Sequence, residues 1–579
     1  MVLEGSVVEL FQTVVIRQRG DDRRIEMKRV SVSKSTVAEE IMEMIRELCD
    51  IAGYGVHSGI GPGPKADEAA HYILRKLHAA GLTEARVERI KVNSPLPEAY
   101  EVAVDVDGRE TVLSDSCFPL QWTAGTAPEG IQGELVYVGD GAESNFKIVD
   151  VSGKIALIDE KFMRGWIATA KDATVIARDK GAIAVFRANL QVDSPQQQKR
   201  EGTPTDLIPI PVFCFSKSGG DVLRHLAVSG TRHTVRVKLE VPHKVYDAYN
   251  VVFELPGNAQ LDEVILVGTH YDTGHFTGAV DNNASVALMI KWAEYFSSKP
   301  REARNRDMMF AWCLGHDFDL NSGHYQLAEA HKARLAKAIV WDVDHAAGGI
   351  RYVYSETEGK IVPVEGQTCE FYIISNNYVY SRLAAFTMDK YGFICTQNRF
   401  GTAGFGPQWG MAPTTSPWVN VASIPLYYHS TLDTPDKITL DQLGRAHAAH
   451  IEILENVDQT PEGFLFYDNI SKTRPNTPPR VCIAILSDRV RIGDTVKVWN
   501  DETRFYDDKM SYHYPALPEW AGTTWDWGDG TPLTIGGPTA THIYENPGIY
   551  TITMKFRDTE GAQATAAKKI EVLHLPTKS

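Results

Sequence analysis

Five segments of the chain carry side chains able to bind a cation or move a proton. The run VILVGTH closes on His270, with Asp272 two residues further on. GAVDNNAS carries Asp281, eleven residues after His270, at a Gly-Ala-rich turn that enters a helical pattern. MMFAWCLGHD runs into His316 and Asp317, AKAIVWD ends on Asp342, and IPLYYHSTLDTPD delivers His429 ahead of a turn. Strand ends in α/β sheets present side chains to the crevice where ligands bind. His and Asp are the right ligand types for zinc or a similar divalent ion. An Asp two residues beyond such a His is placed to hold its far ring nitrogen. Alone, His270-x-Asp272 fits a hydrogen-bonded pair stabilising a turn equally well. Four strand ends that each deliver a metal-capable side chain shift the balance toward a metal centre.

These residues are far apart in sequence, so a sheet must bring them together. From about 243 to 460, buried-type strands (VILVGTH, DMMFAWCL, AKAIVWDV) alternate with helical stretches such as ASVALMIKWAEYF, which reads as amphipathic. That alternation predicts an α/β domain with a mixed, mostly parallel sheet sandwiched by helices. Residues 37–117 supply a helix (VAEEIMEMIRE), a turn-rich stretch from Gly53 to Lys65, a second helix and a strand, ARVERIKV. In the second helix Ala69, Ile73 and Leu77 share one face, and it ends at Gly81. The remaining boundaries are an extension at 1–36, a β-rich insert at 118–242, a polar Pro-rich linker from Ser471 to Pro479 and a β-like unit at 475–575. With 579 residues the chain exceeds what one core holds, since cores stop growing near ~250–300 residues.

A net charge of −15 argues against a phosphate-backbone partner, which needs a basic face, so no nucleic acid is expected. No apolar stretch reaches the ~18–20 residues that cross a bilayer, so no membrane partner is expected either. The opening MVLEGSVVELFQ does not read as a secretory signal. The seven cysteines are scattered without a C-x-x-C pair, which reads as a reducing compartment. Together these predict a cytoplasmic location.

Three resemblances follow from motifs. The GKIALI strand and A-x-x-x-GA turn of the insert resemble a protease-associated domain, which implies a lid or substrate-shaping role; an insert without substrate contact is the plain alternative. Trp525 to Gly530 (WDWGDG) and His542 to Tyr550 resemble a polycystic-kidney-disease (PKD) repeat, an immunoglobulin-like β-sandwich. The Trp and Tyr residues would fill its core and the Asp and Gly residues would shape its turns. Such a unit suggests a structural, binding or homo-oligomerisation role. Finally, H-x-D at His270–Asp272, G-A-V-D-N-N-A-S at Gly278–Ser285, the strand-end Asp342, and His429 before D-T-P-D resemble the dinuclear zinc exopeptidases. That family includes zinc aminopeptidases, glutamate carboxypeptidase and the transferrin receptor.

The resemblance implies two divalent ions sharing Asp281, one held by His270 and Asp342, the other by Asp317 and His429. Zinc is the first choice, with iron, manganese and cobalt as alternatives. It further implies that metal-bound hydroxide attacks an amide or peptide carbonyl. The chain departs from the family at one place. The family has Glu-Glu where His316-Asp317 stands. Asp317 keeps the carboxylate but loses roughly 1.5 Å of reach. His316 replaces the general base. It reads as a substitute base, as an extra metal ligand, or as a neutral residue in a site of altered chemistry. Asp319, Asp344, His345, His275 and His324 lie nearby as substitute bases, or as solvated loop and core residues. Trp312, Trp341, Trp409 and Trp418 flank these segments as pocket lining or as packing. In the Gly- and Pro-rich loop from Gln397 to Trp418, Arg399 and Trp409 are candidate substrate contacts, Arg399 for a carboxylate. The leading function is therefore a metal-dependent hydrolase of peptides or small amides. The alternatives are a lyase, isomerase or small-molecule amidase on the same scaffold, or an inactive binding protein.

Overall fold

The computed structural model describes residues 8–12, 28–32 and most of 36–575. Outside the description lie 161–169, 197–206, 399–415, 467–482, 501–504, 507–511, 514–522, 536–538, 558–562 and the short gaps 57, 95, 107, 243, 320–321, 376 and 486–487. Arg399, Trp409 and the Pro-rich linker therefore fall outside the described residues.

The main sheet has ten strands. Eight of them position the site: β1 (Arg86–Ser94), β2 (Lys244–Leu255), β3 (Val264–His270), β4 (Asp307–Cys313), β5 (Ala338–Val343), β6 (Phe371–Ser375), β7 (Cys395–Asn398) and β8 (Trp418–Ser423). Their spatial order is β7-β6-β8-β5-β3-β4-β2-β1. The middle four, β8, β5, β3 and β4, run parallel, and β2 and β6 enclose them antiparallel. Every residue of β3 and β5 is buried, as expected where helices cover both faces of a parallel sheet. The register sets Gly268 opposite Asp342 and His270 opposite Cys313, so the C-terminal ends of the parallel strands lie level at one edge of the sheet.

The helices layering this sheet include α1 (Thr36–Ala52), α2 (Pro64–Ala79), α3 (Ala284–Ser298), α4 (Ser322–Ala330), α5 (Tyr378–Lys390) and α6 (Leu440–Asp458). Helix α2 starts on Pro64 and buries Ala69, Ile73 and Leu77; Gly81 then takes a positive φ of 86° where the chain turns out. Helix α3 differs from its amphipathic reading. Ala284 through Ile290, Trp292, Ala293 and Phe296 are all buried, because α1, α2 and α6 pack over it. Helix α6 opens with a capping box between Thr439 and Gln442.

The insert forms its own eight-stranded sheet. That sheet takes in Ala99–Val106 and Arg109–Val112, so the crossing from the main sheet lies between Ser94 and Ala99, not at 118. Val102 and Val104 are the cause, since they bury themselves against Val235 and Val237 of the partner strand Thr234–Glu240. The C-terminal unit is a pair of sheets, three- and five-stranded, around Trp525, Trp527, Tyr544 and Met554. In its turn the Gly528 N–H donates to Asp526 Oδ1 at 3.0 Å, and a Cβ on Gly528 would lie 2.5 Å from the Thr551 carbonyl. This unit docks on the insert through Asp494, whose Oδ2 accepts the Ser144 hydroxyl at 2.9 Å. Among the described residues no helix is long and apolar enough to cross a membrane.

Candidate metal centre

The strand-end edge gathers one imidazole–carboxylate cluster. His270 ends β3 fully buried. Its Nδ1 lies 2.9 Å from the Asp272 backbone carbonyl, which can only accept, so Nδ1 carries the proton and Nε2 faces the cluster. Nε2 lies 3.2 Å from Asp344 Oδ1 and 3.6 Å from Asp281 Oδ1. Asp281 follows Gly278, whose φ of 65° carries the turn into α3. A Cβ on Gly278 would stand 2.3 Å from the Asp281 carbonyl, so this turn tolerates only glycine.

The second carboxylate oxygen of Asp281 faces the opposite way. Its Oδ2 lies 3.0 Å from His429 Nε2, while Oδ1 lies 3.1 Å from His345 Nε2. His429 Nε2 is 3.6 Å from Asp317 Oδ1. His345 and His429 both sit at positive φ, 55° and 50°, a strained backbone that surrounding contacts must hold. Three groupings have their donor atoms within 4.8 Å of one another: His270 with His316 and Asp344, His270 with Asp281 and Asp317, and Asp281 with Asp344 and His345. His316 is half-buried, its ring 4.3 Å from that of His270.

The donor set fits divalent cations. Both oxygens of Asp281 are buried and lack a hydrogen bond of acceptable geometry, although three imidazole nitrogens stand within 3.6 Å. A carboxylate so placed is one that a cation between the donors would satisfy. Burial opposes ionisation of Asp281, and the histidines His345 and His429 outweigh it, holding the carboxyl well below its usual range. Burial pushes Asp317 up to about 7. Burial works against a charged His270, and Asp272 and Asp344 overcome it and raise its pKa.

The structure brings His270, Asp281, Asp317 and His429 together and leaves Asp342 out. Asp342 is level with Gly268, one pleat below the strand ends, and its Oδ2 accepts the Asn420 side-chain amide at 2.7 Å. Asp344, two residues on, reaches the level of His270, with its Oδ1 3.2 Å from His270 Nε2. Asp272 has a second task beside its pairing with His270. Its carboxylate is 3.6 Å from His270 Nδ1 and also accepts the N–H groups of Gly315 (3.2 Å) and Asp317 (2.7 Å), so it shapes the turn bearing His316 and Asp317. Asp344 and His345, read as substitute bases or loop residues, are buried members of the cluster. Only the strand register, which the sequence does not carry, puts the residue level with His270 at 344. Asp319 accepts from the Asn93 backbone at 2.7 Å, and His275 packs its ring 4.0 Å from Phe118 of the insert. Trp312 and Trp341 are core packing, and Trp418 is buried.

Sheet order, helix layers and this cluster define a zinc-exopeptidase-like α/β fold. The chain carries a domain of peptidase family M28 over residues 250–454, a PA domain over 131–223 and a PKD domain over 516–572. It is similar to carboxypeptidase Q of Bos taurus, 27% identical over 301 residues (49% of this chain, 62% of the relative), and of Mus musculus, 23% over 299 residues (48% and 60%). The chain thus spans about 60% of the length of these curated relatives. Among solved structures it resembles a zinc aminopeptidase from Bacillus subtilis, with TM-score 0.56, 18% identity, 76% of this chain and 98% of that one covered. A peptidase M28 precursor from Shewanella amazonensis gives TM-score 0.57 and 18% identity, with 74% and 97% covered.

Proposed function

We propose that the protein is a metal-dependent hydrolase of peptide or small amide bonds with a two-cation centre. One observation carries the reading. Asp281 turns Oδ1 toward His270 and His345 and Oδ2 toward His429, the disposition of a carboxylate shared by two ions. In this reading His270 and Asp344 hold one ion, Asp317 and His429 the other, and zinc is the first choice. When bound, such ions polarise a substrate carbonyl and lower the pKa of a water toward ~7. His316, half-buried with its ring 4.3 Å from that of His270, would take the proton of the attacking water and return it to the leaving amine. Asp272 acts by fixing the backbone of that turn. The substrate end and the roles of Arg399 and Trp409 form part of the same proposal, as does a cytoplasmic setting suggested by the scattered cysteines.

A second reading rests on one residue. An imidazole at 316 redirects a metal site toward other small-molecule chemistry, such as amidase or lyase reactions. Full-length protein, its metal content measured, is assayed on aminoacyl anilides and on dipeptides free or blocked at either end. Hydrolysis abolished by chelator and restored by zinc or cobalt supports the peptidase reading. Bound metal with no turnover of any of these supports the second. Folded protein that takes up no metal sinks both.

A further inference from the structure

We propose that His345 is itself a metal ligand, joining His270, Asp281 and Asp344 on one side of the centre; the inference rests on the two-cation reading above. Three donors define the place: His345 Nε2, Asp281 Oδ1 and Asp344 Oδ1. The imidazole nitrogen lies 3.1 Å from each oxygen. Nitrogen and oxygen donors bound at ~2.0–2.2 Å to a common ion stand roughly 3–3.5 Å apart for ordinary bond angles. The same two oxygens face His270 Nε2 at 3.6 and 3.2 Å. His345 thus addresses the oxygens that His270 addresses.

The ring is oriented for coordination. Its Nδ1 lies against the Ser423 backbone carbonyl, which only accepts, so Nδ1 bears the proton. Nε2 then faces two carboxylate oxygens, a place that a second ring proton fills in the metal-free protein and that a cation held between the three donors would take over. A backbone carbonyl on the far nitrogen is how proteins commonly fix a ligating imidazole. The backbone is fixed as well. The His345 N–H donates to Asn282 Oδ1 at 3.0 Å, and the Ala346 N–H donates to Ser285 Oγ at 2.9 Å. Both partners lie at the entry to α3, the segment that carries Asp281, so ligand and bridge move as one unit. With two imidazoles and two carboxylates, this side of the centre favours zinc, cobalt or nickel over manganese.

The test compares wild-type protein with His345→Ala and His345→Gln, purified without added metal. Metal content, chelator competition and the visible spectrum of the cobalt-substituted forms are read, with circular dichroism as the fold control. The expected result is a fall of at least tenfold in affinity for one ion, the other unchanged, and an altered cobalt spectrum. Variants that bind both ions with wild-type affinity and spectrum overturn the inference. Wild-type protein that binds no second ion overturns the two-cation reading instead. Should the variants misfold, metal-edge anomalous scattering from wild-type crystals decides: a peak ~2.0–2.3 Å from His345 Nε2 supports ligation, and none within 3 Å refutes it.

Discussion

Asp433 holds Asp281 by its backbone. Asp433 Oδ2 accepts the Asp281 N–H at 3.0 Å, Oδ1 accepts the Val280 N–H at 2.9 Å, and its own carbonyl accepts the Ala279 N–H at 3.1 Å. The D-T-P-D turn after His429 thus grips the segment that carries Asp281. Asp433→Ala leaves two buried N–H groups without a partner, at about 1–3 kcal/mol each. Its melting temperature should fall, and its metal affinity should drop by about 10–100-fold as Asp281 loses its support. Asp433→Asn keeps one acceptor and should fall between. Thermal melts and chelator titration check this; a variant with wild-type metal affinity refutes the support role.

Asp342 and Asp344 separate by experiment. Asp344→Asn should lose one bound ion and nearly all activity while keeping its fold. Asp342→Asn should keep both ions, because Asp342 serves Asn420. Disturbing that buried pair should instead cost about 1–3 kcal/mol of stability. Metal analysis alongside urea unfolding reads both effects, and metal loss in the Asp342 variant would reverse the assignment.

This pair also shows how far the sequence was legible. Strand–helix alternation and the apolar run ending on His270 announced the sheet and its working edge, because burial on both faces demands continuous apolar strands; the run before His429, expected as a strand, is instead a turn that follows β8 after Ser423. Register was not legible. Where β5 stops relative to β3 depends on pairing across the sheet, and a shift of two residues exchanged Asp342 for Asp344. Backbone-mediated support was likewise silent, since Asp272 and Asp433 act on N–H groups that every residue has. The start of the insert's sheet at Ala99 was hidden because AYEVAVDV alternates like any half-buried strand.

In the proposed reaction His316 is the proton-handling residue. Its ring rests 4.3 Å from that of His270 and is half-buried, so solvent and substrate can reach it. His316→Ala should lower kcat by about 10²–10⁴-fold with both ions retained, as expected for loss of an acid–base group. His316→Glu should recover part of that rate. If His316→Ala instead sheds a metal ion, His316 is a ligand rather than a base.

The insert clasps the His429 segment. Gln196 donates its side-chain amide to the carbonyls of Leu426 (2.8 Å) and Tyr428 (3.0 Å), and Ser194 Oγ accepts the Thr431 N–H at 2.9 Å. These bonds flank His429 and its left-handed backbone. Gln196→Ala should weaken the ion held by His429 by about tenfold, on the scale of other supporting groups, and leave the second ion unchanged. Gln196→Glu cannot donate and should behave alike. A biphasic chelator titration resolves the two ions; an unchanged profile means the clasp is packing alone.

The last prediction concerns acid stability. His450 is fully buried, stacked 4.6 Å from Trp292, and its Nδ1 accepts the Trp341 indole N–H at 3.2 Å. Burial pushes its pKa down to about 3. An unfolded His titrates near ~6.5. As pH falls below that value the unfolded chain binds a proton that the folded chain refuses. The folded pKa is depressed, so the stabilisation is present above ~6.5 and is lost progressively as pH falls toward 3. Between pH 7 and pH 5 this one residue should remove about 2 kcal/mol of stability. His450→Phe keeps a ring between the tryptophans and cannot protonate. It should be less stable than wild type at pH 7, having lost the indole hydrogen bond, yet its stability should fall by about 2 kcal/mol less on going to pH 5. Urea unfolding of both proteins at the two pH values measures the difference in slope. Equal losses in the two proteins would mean that His450 is not the group that refuses the proton.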